Sequence, residues 1–143
     1  MTQLFQRILC PTDFSTESVR ALHAAEDLAR RHGGTVLVIH VVDALRQTGD
    51  MVVTLVSEAN LAMDTLMASE RSRLPDVQLT GEVTSGEPFS EILERAASWP
   101  ADLVVMAPAG PRLAERILGS TSERVLRNAA CSVMVVRGIA GAP

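Results

Sequence analysis

The spacing of apolar positions changes several times along the chain, and each change marks an element. RILCPTDF, residues 7–14, is a short apolar run that stops at Pro-Thr-Asp, which predicts a strand and then a loop. Ser15 is placed to cap a helix. Beyond it Val19, Leu22, Ala25, Leu28 and Ala29 recur on one helical face until Gly33-Gly34 ends the run. TVLVIHVVD, residues 35–43, is apolar almost throughout, as a central strand of a parallel sheet is when both its faces are covered. Residues 44–50 are polar. A long stripe of Val52, Leu55, Val56, Ala59, Ala62, Met63, Leu66 and Met67 then predicts an amphipathic helix closed by Pro75.

VQLTGEV, residues 77–83, alternates as a half-exposed strand does. GEPFSEILERAASW, residues 86–99, predicts a short helix with Pro88 in its first turn, Phe89, Ile92, Leu93 and Ala96 facing inward, and Trp99 packed at its end. ADLVVMA at 101–107 is a fourth strand, residues 120–129 a fourth helix and SVMVVR at 132–137 a fifth strand, followed by a frayed GIAGAP tail. Strict alternation of strand and helix predicts an α/β fold, a parallel sheet with helices on both faces and right-handed crossovers. With 143 residues and no visible linker or repeat, the expectation is one domain over 1–143.

Composition narrows the function. The chain is 47% hydrophobic and 21% charged, with a net charge of −4; the mean hydropathy is +0.19. These values fit a compact core, and the acidic balance lacks the basic footprint of a nucleic-acid binder. No apolar run approaches a membrane span and no signal peptide is visible, so the expectation is a cytoplasmic protein without a membrane partner. All 13 cationic side chains are Arg, which removes a P-loop Lys, a Schiff-base Lys and the Lys of a receiver-type phosphorylation site. Cys10 and Cys131 lie far apart and read as free buried thiols. His23, His32 and His40 show no metal-ligand spacing, so no metal site is expected.

MAPAGPRLAERILGSTSERVL, Met106 to Leu126, reads as a loop, then Gly-Ser, then a helix opening on the capping box Ser120-x-x-Glu123. A chain holds a phosphate in this way, and a capped helix needs no ligand to look like it.

Taken in order, four stretches carry a family resemblance: ILCPTDFSTESVRAL, VLVIHVVD, TSGEPFSEILERAASWPADLVVMA and LGSTSERVLRNAACSVMVVR. Together they cover essentially the whole chain, which resembles the universal stress protein family of single-domain type. The resemblance implies a Rossmann-like open sheet in order 3-2-1-4-5. Between strands one and four the winding direction reverses, so their carboxyl ends open a crevice. Pro11, Thr12 and Asp13 would enter it from strand one, and Met106 to Gly110 from strand four.

Nucleotide-binding members of the family carry Gly-x2-Gly-x9-Gly-(Ser/Thr). Gly119-Ser120 match its end, with Thr121 following. Upstream, the better alignment sets Ala107 at the first Gly and Gly110 at the second, one residue short of the pattern; the alternative keeps the spacing but sets Met106 and Ala109 at the glycine positions. Pro108 and Pro111 withhold two backbone donors. Arg112 and Arg116 either add charge to a triphosphate or stay solvated. By the resemblance, Asp13 meets ribose or base and the backbone near Val41 binds adenine; the other reading of Asp13 is a carboxylate capping the helix after it.

The functions in view are a stress-response protein binding ATP or AMP, with Mg2+ accompanying ATP, and a dimeric interaction module without nucleotide. Asp13, Gly110, Gly119 and Ser120 tilt the balance to the first. An enzyme is not expected, slow ATP hydrolysis aside, because no nucleophile elbow or adenylylation motif is present. Val133, Met134, Val135 and Val136 make strand five an apolar edge. By the resemblance, two such edges pair across a two-fold axis into a homodimer. Further protein partners are not identified by the sequence.

Overall fold

The computed structural model describes residues 4–108 and 119–138. Five strands form one sheet: β1 (Arg7–Pro11), β2 (Thr35–Asp43), β3 (Gln78–Gly86), β4 (Leu103–Met106) and β5 (Ser132–Val135). The crossovers are α1 (Thr16–His32), α2 (Gly49–Arg73), α3 (Pro88–Ser98) and, before β5, α4 (Ser120–Asn128). The order is β3-β2-β1-β4-β5, and every pairing is parallel.

The two-residue period of the strands divides the core between two faces. Ile8, Cys10, Val36 and Val38 meet Leu22, Ala25 and Ala29 of α1 and Met63 and Met67 of α2. Leu9, Leu37, Ile39 and Val104 meet Ile92 of α3 and Val125 of α4. Helices thus cover both faces, as the near-continuous apolar runs of β1, β2 and β4 require.

Helix ends follow local chemistry. The Ser15 side chain accepts from the Ser18 amide and opens α1, and Gly33, at φ 69°, closes it in the left-handed conformation. The Gly34 amide then returns to the Ala29 carbonyl at 2.9 Å. Pro88 sits in the first turn of α3. Asp102 accepts from the amides of Gln6 and Arg7 at 2.8 and 3.1 Å, tying the entrance of β4 to that of β1.

Two boundaries differ from the sequence expectation. β3 extends to Gly86 and stays in register with β2 as far as Asp43. Of the predicted α2 stripe only Ala59, Met63 and Met67 are buried, joined by Glu70. A helix of 25 residues is about 37 Å long, whereas a nine-residue strand spans about 30 Å. The amino-terminal turns therefore have no sheet beneath them, and Met51 and Val53 are exposed there. α2 is long and apolar enough, by length and composition only, to cross a membrane; in the fold it lies on the sheet through Met63 and Met67.

Candidate functional site

The crevice begins where β1 parts from β4. Their register holds only at Ile8–Leu103 and Leu9–Val104, while β1 stays paired with β2 as far as Pro11–Ile39. Pro11 has no N–H to extend a ladder, and the Thr12 amide bonds the Ile39 carbonyl at 2.8 Å instead. The opening is a cavity of about 470 Å³, within the size range of small-molecule sites. Its walls bring together Pro11, Thr12, Asp13, Val41, Met106, Ala107 and Thr121, residues singled out in the sequence at the ends of β1 and β4, in β2 and at the start of α4. Gly119 and Ser120 stand beside Thr121 at the start of α4 and are not among the cavity walls. Gly110, Arg112 and Arg116, with Ala109 and Pro111, lie outside the described residues.

The β1 side is held by a small polar network. Thr12 is buried; its Oγ1 lies 2.9 Å from Ser18 Oγ and accepts from the Phe14 amide at 3.0 Å. Asp13 is exposed and accepts from the Ser15 amide at 3.0 Å. Asp13 braces the turn before α1, as the capping reading expects, and also lines the cavity. Partial burial pushes its carboxyl up, but hydrogen bonds from Ser15 and Ser18 outweigh that and hold it below the usual aspartate value.

Sequence reading missed two contributors. His40 lines the cavity, with Nδ1 2.7 Å from the Thr12 carbonyl oxygen and its ring 4.7 Å from that of Phe14. Its signal was an imidazole interrupting the apolar run of β2 near the carboxyl end. Ser122 is fully buried and donates to the Ala107 carbonyl at 3.0 Å, fixing α4 to the end of β4. No periodicity announces such a bond.

The Ser120–Glu123 capping box is not formed. Gly119 is the N-cap, at φ −67° and ψ 162°, and Ser120 is already the first helical residue. The Glu123 amide bonds the Gly119 carbonyl at 3.0 Å, and the Glu123 carboxylate pairs with Arg127 at 2.8 Å. A box needs its Ser at the cap; moving the cap one residue earlier puts Ser122 at the third position, where its hydroxyl goes to Ala107. The consequence is chemical: the N-cap Gly119 makes no side-chain cap bond, and the amides of Ser120 and Thr121 stand at the positive dipole end of α4, where an anion is favoured.

The crevice carries two kinds of polar group. Asp13 and Glu17 line it with carboxylates, suited to sugar hydroxyls or base N–H groups. Thr121, in the first turn of α4, lines it as well, and a helix start is suited to phosphate.

A parallel sheet in this order, with a cavity at the reversal point, defines an open α/β fold with a crevice at its topological switch point. Residues 4–137 match the model of the universal stress protein family. The chain belongs to that family. It is 35% identical over 145 residues to a universal stress protein of Methanocaldococcus jannaschii, covering 94% of this chain and 83% of that one. Among solved structures it is similar to the universal stress protein UspA of Lactobacillus plantarum, with TM-score 0.75, 26% identity, and 95% and 100% of the two chains covered. A universal stress protein of Archaeoglobus fulgidus in complex with dAMP shares the fold, with TM-score 0.71 and 20% identity over 92% of this chain and 98% of that one.

Proposed function

We propose that this universal stress protein binds an adenine nucleotide, ATP or AMP, in the crevice between β1 and β4, and that it acts by binding rather than by catalysis. The observation that carries the reading is the paired chemistry of the cavity: the Asp13 carboxylate and Thr121, in the first turn of α4, line the same cavity, and the α4 N-cap is Gly119, which makes no side-chain cap bond. Asp13 accepts hydrogen bonds from the ribose or base, the backbone at Val41 meets adenine, and the amides of Ser120 and Thr121 receive phosphate. Mg2+ accompanies the ligand when it is ATP. The dAMP complex of the Archaeoglobus fulgidus protein supports the choice of an adenylate ligand. Free Cys10 and Cys131 agree with a reducing, cytoplasmic setting.

Pairing of two β5 edges into a homodimer is part of the proposal. Met134, 37% exposed, faces out from that strand, while Val133 and Val135 pack on the α3–α4 side of the core and Val136 on the other.

A second reading, a dimeric interaction module without nucleotide, draws on the β4 end. Ala107 replaces the first glycine, its carbonyl is engaged by Ser122, and buried Pro108 offers no amide. Losing one hydrogen bond to a charged phosphate forfeits about 1.5–3 kcal/mol. A melting scan with and without Mg-ATP or AMP separates the two. Ligand at a hundred times Kd adds about 2.7 kcal/mol, a shift of several degrees. The proposal expects that shift and its loss in Asp13→Ala; no shift with either nucleotide at millimolar concentration selects the interaction module.

A further inference from the structure

Away from the crevice, polar side chains of α1 and α2 gather over one face of the sheet. Glu26 of α1 is fully buried and Glu70 of α2 is 4% exposed. His23, one turn before Glu26, lies at the rim with Nε2 2.9 Å from Glu70 Oε1. Arg73 reaches in from solvent, 2.7 Å from Glu26 Oε1 and 3.3 Å from Glu70 Oε1. The second oxygen of Glu26, Oε2, is buried without a hydrogen-bond partner. One ligand atom each from His23, Glu26 and Glu70 lies within 4.8 Å of the others.

Arg73 alone does not account for this group. It serves Oε1 of each glutamate, and a buried acceptor left without a partner is an exception that calls for a physical reason. Two ligands about 2.0–2.1 Å from a tetrahedral ion stand roughly 3.3 Å apart, so His23 and Glu70 need only a small opening to share one. An imidazole nitrogen with two carboxylate oxygens suits zinc and its first-row neighbours, whereas Mg2+ and Ca2+ favour oxygen shells. The half-exposed His23 side chain gives an ion access from solvent, and water completes the coordination.

We infer that His23, Glu26 and Glu70 form a binding site for one divalent transition-metal ion of the zinc class, bridging α1 and α2. In the metal-free protein Arg73 is the stand-in cation, and its exposed stem lets it withdraw when the ion enters. His23 stands eight residues past the Ser15 cap, about 12 Å along α1, so the site is separate from the nucleotide crevice and does not depend on it.

The test uses the full chain stripped with EDTA and then dialysed. Calorimetric titration with ZnCl2 is expected to give one ion per chain, and zinc at a hundred times Kd to raise Tm by several degrees, with Mg2+ giving no shift. Co2+ is expected to show the visible bands of a tetrahedral site. Affinity for zinc should fall at least tenfold in His23→Ala and in Glu70→Gln, with His23→Gln as a second, larger replacement should the alanine variant lose its native circular dichroism. Absence of saturable zinc binding would overturn the inference. So would binding of unchanged affinity in folded His23 and Glu70 variants, because the ion would then sit elsewhere.

Discussion

Asp13 has two duties on one carboxylate. It orders the turn into α1 through the Ser15 amide and presents negative charge to the cavity. Asp13→Ala should therefore abolish the nucleotide-induced rise in Tm and also lower the unliganded Tm, whereas Asp13→Asn should restore more of the second than of the first. Glu26 sets the pH response. Burial first, then the neighbouring Glu70, push its carboxyl from 4.5 up to about 8, against the pull of Arg73. The groups around it are Glu70 and Arg73 of α2, His23 beyond Glu70, and Cys10 of β1, whose own thiol is raised by burial and by Glu26. A folded value above the unfolded one means that the native protein holds the extra proton between the two. The contribution of Glu26 to stability is then full below about pH 4.5 and is lost as pH rises toward 8, with a slope of at most about 1.4 kcal/mol per pH unit. Urea denaturation in EDTA at pH 5.5 and 8.5 checks this: wild type should lose more stability across the interval than Glu26→Gln, and parallel losses would contradict it.

Among the elements, α4 is the one whose placement decides the site. Its amino terminus depends on the bond from Ser122 to the Ala107 carbonyl. Ser122→Ala leaves that buried carbonyl one donor short, at a cost of about 1–3 kcal/mol, and should weaken nucleotide binding with it; chemical denaturation and a nucleotide titration of the same variant read both effects. The sequence marked the helix and missed its cap, because Ser-x-x-Glu describes a capping box equally well from one residue too late. Only the extended backbone of Gly119 shows which residue serves. At the end of α1 the local signal sufficed, since Gly33 has the left-handed φ of 69° that glycine there predicts. Nothing lies within 4 Å of a Cβ built on it, so Gly33→Ala tests backbone strain alone and should cost about 1 kcal/mol in denaturation. The half-buried length of α2 escaped prediction because a helical stripe says which face is apolar and not how far the sheet beneath it extends.

For the whole molecule, alternating elements gave the α/β class, and the family resemblance gave the strand order that the sheet shows. Seven of the eleven residues proposed for the crevice line one cavity. Those at the ends of β1 and β4 lie together because parallel topology sends every strand's carboxyl end to the same side, whereas Val41 and Thr121 were singled out through the family resemblance. His40 and the His23–Glu26–Glu70 group were not legible, because each acquires its meaning from a contact distant in sequence. The same scale carries the assembly. Val135 packs into the core, so Val135→Glu would disturb the monomer as well as an edge contact. Met134→Arg is the cleaner test: light scattering should show the mass of a single chain with native circular dichroism, and an unchanged dimer mass would reject the β5 interface.

Nucleotide binding in the β1–β4 crevice is the central claim, and equilibrium titration tests it most directly. Dialysed protein is titrated with Mg-ATP and with AMP in a calorimeter, beside Asp13→Ala. Saturable binding of one nucleotide per chain, weakened at least tenfold by the substitution, is the predicted result. Absence of binding with either ligand at millimolar concentration, or equal affinity in Asp13→Ala, would contradict it.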